Sequence, residues 1–324
     1  MGWSSPLPSC TAPDPGSACD RAARGTLSAT LAPARRGGQE DGMRIGSIGL
    51  GAMGRPMAER LAAAGHAVAG LDRDPARRAV GVTPAENLAE VVAGADALLL
   101  SLPDSPAVEA VMEGVLAAAA PGLLVVDTST ADPLSTRAIQ ARAAERGVAF
   151  VDAPVSGGAT GAAEGRLLAM LGGRDADLAR AEALLAPLTR QVVRCGGPGA
   201  GNVAKLVNNL LCSAHLLLAG EALALGEAAG IAPRALAAVL AAGSGRSAAI
   251  ETNLPTWVLS GTYDSGFTMG LMAKDVRLAR ALGEAVDALG PLSREAAATV
   301  ARGEARFGAA ADFNRLVDLG RGEA

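Results

Sequence analysis

Lysine and aromatic side chains are scarce in this chain. Its 324 residues include two Trp, one Tyr and four Phe, while 50% of all residues are hydrophobic. The core must therefore be aliphatic. Of the 29 basic residues, all but Lys205 and Lys274 are Arg. Where nearly every basic position is Arg, a position that remains Lys points to chemistry that Arg cannot perform, such as losing a proton near neutral pH.

Cysteine, histidine and net charge are low as well. The four Cys form no Cys-x-x-Cys pair and the two His lie far apart in the chain, which argues against a structural metal site. Such cysteine use is typical of a reducing cytoplasm. A net charge of −4 gives no electrostatic basis for a nucleic-acid partner. No uninterrupted apolar run reaches the ~18 residues of a membrane span, so we expect a cytoplasmic protein without a membrane partner.

Composition divides the chain into parts. Residues 1–42 hold five Pro and six Gly without apolar periodicity, which predicts a disordered extension before Met43. Residues 43–201 alternate short apolar runs with helical patterns, which predicts a parallel sheet with right-handed crossovers. The predicted strands are Arg44–Ile48, Val68–Leu71, Ala97–Leu102, Leu123–Asp127 and Val148–Asp152, and the first helix is Pro56–Ala64.

Residues 202–324 carry no strand pattern. Their longest helical pattern, Asn202–Ala229, would extend roughly 42 Å. Further helices are predicted at Pro233–Ala242, Ser247–Leu259, Leu271–Leu282 and Ser293–Arg306. We therefore expect an α/β Rossmann-like N-terminal domain and an all-α C-terminal domain, joined by a long interdomain helix. The cleft between them is the expected active site.

A glycine-rich loop follows the first predicted strand and opens the first helix. It matches G-x-G-x-x-G, whose glycines permit a tight turn, close approach of a pyrophosphate and close helix–strand packing. In a chain with 41 Gly the position within a βαβ unit gives the match its weight. The alternative is a merely tight turn. The predicted dinucleotide-binding residues are Gly49, Leu50, Gly51, Ala52, Met53 and Gly54.

Asp72 lies at the end of the second predicted strand. A carboxylate at this position binds the adenosine ribose hydroxyls and repels a 2′-phosphate, which favours NAD. Arg73 follows directly and could hold that phosphate instead. NAD is therefore the expected cofactor, with NADP as the alternative.

The segment Asp152–Gly158, which begins at the end of the predicted strand Val148–Asp152, ends in a hydroxyl residue followed by two glycines. Successive backbone N–H groups at Ser156, Gly157 and Gly158 could cradle an anion such as a substrate carboxylate. Local chemistry alone equally allows an ordinary turn.

The two lysines each lie beside polar residues. Lys205 and Asn209 are four residues apart on an otherwise apolar helix and so share one face. If buried, they and Asn208 need polar partners; if exposed, they form a solvated stripe. Lys274 precedes Asp275, for which a surface salt bridge is the ordinary explanation. The scarcity of Lys favours a functional role.

With these motifs in order, the sequence resembles the β-hydroxyacid dehydrogenases, the family of 3-hydroxyisobutyrate dehydrogenase and tartronate semialdehyde reductase. The match runs from Met43 to about Leu319. It rests on the glycine loop and on Asp152–Gly158, Gly199–Asn209 and Phe267–Asp275.

The resemblance implies a role for each matching position. Lys205 would be the catalytic acid/base, Asn209 would orient the substrate, and Lys274 would reach the cofactor or substrate when the cleft closes. The positions that would bind the substrate carboxylate are Ser156, Gly157 and Gly158. The positions that would contact the cofactor are Leu102, Pro103 and Thr130. Subunits would pair through their helical domains as a homodimer or homotetramer.

Physical chemistry agrees with the proposed role of Lys205. A lysine acts as a general base only when neutral, so its pKa must fall from ~10.4 towards ~7–8. Burial and a nearby positive nicotinamide both favour the neutral amine. Arginine is not deprotonated in this range, so Arg should fail at this position.

Alternatives remain within and outside the family. Decarboxylating 6-phosphogluconate dehydrogenases have His where Asn208 stands here, and imine reductases lack the lysine at position 205. A non-catalytic NAD-binding scaffold is a further alternative. For the substrate, a 3-hydroxyisobutyrate-like 3-hydroxy acid is favoured. Tartronate semialdehyde (or glycerate), succinic semialdehyde, glyoxylate and L-serine are alternatives.

Overall fold

The computed structural model describes residues 42–321, so the extension predicted at 1–42 lies outside the described residues apart from Gly42. Within that part of the chain, nine strands form one sheet. They are β1 (Arg44–Ile48), β2 (Ala67–Leu71), β3 (Thr83–Pro84), β4 (Ala97–Leu100), β5 (Leu124–Asp127), β6 (Ala149–Asp152), β7 (Val155–Ser156), β8 (Leu167–Gly172) and β9 (Thr189–Gly196).

The sheet is parallel at its centre and mixed at one end. Its order is β3-β2-β1-β4-β5-β6-β8-β7, with β9 beside β8. All pairs from β3 to β6 are parallel. Strand β8 runs antiparallel to β6 and β7, which the prediction of a parallel sheet did not include. The chain between Ser156 and Leu167 is shorter than the dozen or so residues that a parallel crossover needs.

Helices cover both faces of the sheet. Strands β4 and β5 are buried along their whole length, as expected when both faces are covered. Met57 and Leu178 belong to the core on one face, and Met112 and Ile139 to the core on the other. The helices of this part are α1 (Gly54–Ala63), α2 (Leu88–Val92), α3 (Ser105–Ala118), α4 (Pro133–Glu145), α5 (Gly158–Glu164) and α6 (Asp175–Leu185), with a 3-10 turn at Ala186–Leu188.

The rest of the described chain is helical and has its own core. Leu216 and Leu223, on the first helix of this part, are fully buried in that core. Its helices are α7 (Ala200–Ala228), α8 (Pro233–Ala242), α9 (Met269–Ala285), α10 (Pro291–Phe307) and α11 (Leu316–Gly320), with a 3-10 turn at Phe313–Arg315. The expected fold class, a Rossmann-like α/β part followed by helices, is confirmed.

The helix predicted at Ser247–Leu259 has a different hydrogen-bond pattern. It spans Ala249–Val258 and is a π-helix. The N–H of Leu259 donates to the carbonyl of Leu254, five residues earlier, at 2.8 Å. Pro255 lies inside the segment and has no N–H to donate, so an undisturbed α-helix could not form here.

Helix α7 is long and strongly apolar. Of the described helices, it is the one whose length and composition would allow it to cross a membrane. Its buried residues instead pack against β8, α9, α10 and α11, in the manner of a core helix.

A buried carboxylate holds the start of α7 against the sheet. Asp152, at the end of β6, is fully buried and accepts the N–H groups of Gly199 and Asn202, each at 2.9 Å. The Asn202 side chain in turn accepts the N–H of Ala131 and donates to Thr136. The first turn of α7 is therefore tied to the loop after β5 and to α4.

We expect Asp152→Ala to lower the free energy of unfolding by about 3 kcal/mol, because two buried N–H groups would lose their partner. Urea denaturation followed by circular dichroism measures this change. Asp96→Ala is the matched control: Asp96 also accepts a backbone N–H, from Arg44, but its side chain is 47% exposed, so water can replace it. A loss for Asp152→Ala no larger than that for the control would contradict this account of the junction.

Candidate active site

The glycine loop lies between β1 and α1 and leaves space for an anion. Gly49 has φ +91°, which favours glycine. A Cβ on Gly54 would collide with the carbonyl of Gly49, whereas a Cβ on Gly51 would meet only the Arg77 guanidinium, at 3.3 Å. No side chain caps the first turn of α1, where Ala52 and Met53 enter the helix. The loop therefore fits a pyrophosphate at a helix N-terminus.

Asp72 stands beside this loop. Its carboxylate accepts the N–H of Leu50 at 2.6 Å and that of Asp74 at 2.9 Å. Partial burial opposes ionisation, but these N–H groups and the Arg77 guanidinium outweigh it, so the pKa of Asp72 lies below its usual range. Arg77, not the exposed Arg73, makes the recorded contact with Asp72, at 3.4 Å. Sequence analysis missed Arg77, which lies five residues beyond Asp72.

The loops after β4 and β5 meet next to the glycine loop. The N–H of Leu102, which precedes the exposed Pro103, donates to the Ser129 hydroxyl at 2.8 Å. Thr130 follows in the same loop. Because β1, β4 and β5 are neighbours, their carboxyl ends bring the three predicted cofactor-contact loops to one edge of the sheet.

The predicted carboxylate-binding turn joins β7 to α5. Gly157 has φ +132° and Gly158 φ +65°, so both positions favour glycine. Ser156 is half-buried, while the two glycines are exposed. Strand β8 connects this turn to α7, since it pairs with Ser156 and its Met170 packs tightly against Gly201.

Lys205 and Asn209 are buried on one face of α7. Lys205 is 9% exposed and Asn209 is 4% exposed. The Asn209 amide donates to Asp275 at 2.6 Å. The neighbouring Asn208 is exposed and donates to the Asn209 side-chain oxygen.

Lys274 crosses from α9 to the sheet. Its Nζ donates to the carbonyl of Thr130 at 2.6 Å and lies 2.9 Å from a carboxylate oxygen of Asp275. The pair Lys274–Asp275 is therefore an ion pair, but a buried one: Asp275 is 2% exposed. Asp275 contacts both Asn209 and Lys274. The sequence alone did not predict that Asp275 links these two residues.

Burial and the neighbouring charges together determine the pKa of Lys205. Burial lowers the pKa of Lys205, the Asp275 carboxylate opposes this, and Lys274 adds to the lowering. The site thus contains a buried amine that can be neutral, an amide beside it, and an ion pair that reaches the cofactor loops. Proton exchange with a bound hydroxyl or carbonyl is the chemistry that this set supports.

Two family models together cover nearly all of the described chain. Residues 44–197 match the NAD binding domain of 6-phosphogluconate dehydrogenase, and residues 199–319 match the model described as NAD-binding of NADP-dependent 3-hydroxyisobutyrate dehydrogenase. The chain belongs to the β-hydroxyacid dehydrogenase family. It is therefore an NAD(P)-dependent hydroxyacid dehydrogenase.

Individual relatives agree with this family. A 2-(hydroxymethyl)glutarate dehydrogenase of Eubacterium barkeri is 38% identical over 252 residues, which are 76% of this chain and 84% of that protein. An NAD-dependent L-serine dehydrogenase of Pseudomonas aeruginosa is 40% identical over 256 residues, 75% and 86% of the two chains. The solved 3-hydroxyisobutyrate dehydrogenase of Mycobacterium tuberculosis with L-serine has a TM-score of 0.81 and 35% identity, covering 86% of this chain and 99% of its own.

The charges flanking Lys205 give the dehydrogenase a testable pH dependence. If Lys205 is the general base, Asp275→Asn removes an anion that stabilises its ammonium, so its pKa should fall and the acid limb of kcat/KM for oxidation should move to lower pH. Lys274→Met removes a cation and should move the limb to higher pH. Initial rates between pH 5 and 10 measure both. Shifts in the same direction would contradict the assignment of this limb to Lys205.

Proposed function

We propose that this dehydrogenase oxidises a small 3-hydroxy acid of the 3-hydroxyisobutyrate type, with Lys205 as the general acid/base. The observation that carries the proposal is the burial of Lys205 beside Asn209 on α7, with Asp275 and Lys274 linking this pair to the cofactor loops. NAD, when bound, accepts the hydride from the carbinol carbon. Lys205 takes the hydroxyl proton in oxidation and returns it in reduction.

The remaining predicted residues bind and orient. The N–H groups of the turn at Ser156, Gly157 and Gly158 hold the substrate carboxylate. Asn209, itself fixed by Asp275, orients the hydroxyl, and Lys274 holds the closed cleft against Thr130. Asp72 favours NAD over NADP, because its carboxylate is ionised and repels a 2′-phosphate.

L-serine is the second candidate substrate. One relative is named an NAD-dependent L-serine dehydrogenase, and the solved structure cited above is described with L-serine. L-serine is also a 3-hydroxy acid, so the same lysine and carboxylate turn would serve it. Tartronate semialdehyde, succinic semialdehyde and glyoxylate require only reduction at the same centre.

Initial rates across 3-hydroxyisobutyrate, L-serine, glycerate and the three carbonyl compounds, each with NAD(H) and NADP(H), test the proposal. We expect the highest kcat/KM for 3-hydroxyisobutyrate with NAD. Lys205→Ala and Lys205→Arg should each lower kcat about 10²–10⁴-fold, because neither side chain can exchange the proton.

Titration of NADH fluorescence should show nearly unchanged cofactor binding in both Lys205 variants. Glu221→Gln, at an exposed polar position of the same helix, is the control for effects on α7. Turnover retained by Lys205→Ala would overturn the role of Lys205, and absence of turnover on every compound would overturn the substrate class.

We also propose that the enzyme is a cytoplasmic homo-oligomer that pairs through α7. Four apolar residues of α7 are between 54% and 73% exposed: Val207, Leu211, Leu218 and Leu225. Their spacing puts them on one stripe, opposite the buried core of the helix. A helix that is apolar on both faces needs cover, and a two-fold axis lets one stripe cover its own copy. Both described cysteines are free, which supports a reducing compartment.

Replacing Leu211 and Leu218 together by Asp should give a monomer, because each subunit would bury two charges at the interface. Light scattering coupled to size-exclusion chromatography measures the mass, and Val239→Asp, an exposed apolar residue of α8, is the control. A wild-type protein that is monomeric at micromolar concentration would contradict this interface.

A further inference from the structure

Three consecutive buried polar residues lie at the end of β5 and in the loop that follows it. Asp127, Thr128 and Ser129 are 0%, 6% and 3% exposed. None of them belongs to the predicted site, although Thr130, which follows them, does. Buried polar groups are costly unless they are bonded, so the partners of these side chains show what the segment holds in place.

Thr128 and Ser129 bond to the end of β4 and to the loop that follows it. Thr128 donates from its hydroxyl, at 2.6 Å, and from its N–H, at 2.9 Å, to the carbonyl of Leu100 at the end of β4. The Ser129 hydroxyl accepts the N–H of Leu102 at 2.8 Å. The loop after β5 is thereby fastened to the loop after β4.

Asp127 in turn fixes Ser129. One carboxylate oxygen accepts the N–H of Ser129 at 2.9 Å, and the Ser129 hydroxyl also stabilises the carboxylate. The other oxygen is buried without a hydrogen-bond partner among the described residues. A chain of contacts therefore runs from Asp127 through Ser129 to Leu102. The neighbouring Thr130 carbonyl binds Lys274.

The position of these loops indicates which part of the cofactor they serve. Asp72 follows β2 and the glycine loop follows β1, so the adenosine and pyrophosphate lie at that side of the sheet. Strands β4 and β5 continue the order away from β2. The nicotinamide half of the dinucleotide therefore falls on the two loops that Asp127 and Ser129 join.

We propose that Asp127 is a positioning residue which, through Ser129, sets the two loops that receive the nicotinamide half of the cofactor. The carboxylate of Asp127 accepts the N–H of Ser129 and so fixes the residue whose hydroxyl accepts the N–H of Leu102. A protonated Asp127 loses part of this acceptor capacity and loosens the pair of loops.

The charges facing Asp127 place this change near neutral pH. Burial raises its pKa to about 7; the bonds from Ser129 lower it, the Asp152 carboxylate beside it on β6 raises it, and Lys274 lowers it. Cofactor affinity should therefore fall as pH decreases through about 7. The inference rests on the NAD site of the proposed function but not on the identity of the substrate.

Cofactor binding, rather than turnover, tests the inference. Titration of NADH fluorescence between pH 6 and 8.5 gives Kd for the wild type, which should weaken about fivefold towards the acid end, the equivalent of one hydrogen bond. In Asp127→Asn, Kd should be weak and independent of pH, because the amide neither titrates nor accepts on its nitrogen. A wild-type Kd that is flat over this range, or an Asp127→Asn profile equal to that of the wild type, would overturn the proposal.

Ser129→Ala gives a second test if Asp127→Asn fails to fold. Loss of the Ser129 hydroxyl removes the acceptor through which Asp127 reaches the N–H of Leu102, so Kd should be weak and independent of pH, as in Asp127→Asn. Thr128→Val is the matched control: it also removes a buried hydroxyl of this loop, but one that bonds Leu100. It should lower the melting temperature and leave the pH profile unchanged. A pH profile of Thr128→Val as flat as that of Ser129→Ala, or a profile of Ser129→Ala equal to that of the wild type, would overturn the proposal.

Discussion

The orientation of α7 depends on buried hydrogen bonds at its first turn. Asp152 at the end of β6 accepts two N–H groups there, and Asn202 extends the contact to the loop after β5. Gly201 lies so close to β8 that no side chain would fit. Because Lys205 follows one turn later, these contacts decide where its amine lies relative to the carboxyl ends of the strands. The position of Lys205 is thus a consequence of how the helix leaves the sheet.

Several ionisable groups at and near the site are buried, and burial shifts their pKa values. Burial raises the pKa of Asp152 to about 6 and that of Asp127 to about 7, while it lowers the pKa of Lys205. Burial alone therefore favours the neutral form of all three groups, whereas their neighbours decide how far each is charged. Lys274 and Asp275 supply opposite charges close to Lys205, so small changes of the cleft alter the proton affinity of the amine. Such coupling suits a group that must both take and return a proton.

Features encoded by neighbouring residues were predictable from the sequence. The glycine loop, Asp72 and the shared face of Lys205 and Asn209 follow from local spacing, and the structure places them accordingly. The antiparallel β8 was not predicted, because its apolar run could equally continue a parallel series. The π-helix at Ala249–Val258 depends on how Pro255 is accommodated, which periodicity does not reveal.

Site residues that act through distant contacts had no local pattern. Asp275 meets Asn209 across 66 positions of the chain, Ser129 meets Leu102 across 27, and Asn202 meets Ala131 across 71. One indication of a role for Asp275 was present in the sequence, because this residue directly follows Lys274, one of the two lysines. Arg77 was missed for a different reason, since the turn after β2 decides which arginine faces Asp72.

The second lysine now has a physical reason that the sequence did not provide. Lys274 is 19% exposed at its side chain and directs one nitrogen to two oxygens, the Thr130 carbonyl and the Asp275 carboxylate. A compact ammonium can donate to both at once, and its three hydrogens rotate to suit them. A guanidinium is larger and planar, so it would have to displace one of these oxygens or widen the contact between α9 and the sheet. The proton exchange proposed for Lys205 therefore explains lysine at that position, whereas the size of the cation explains it at position 274.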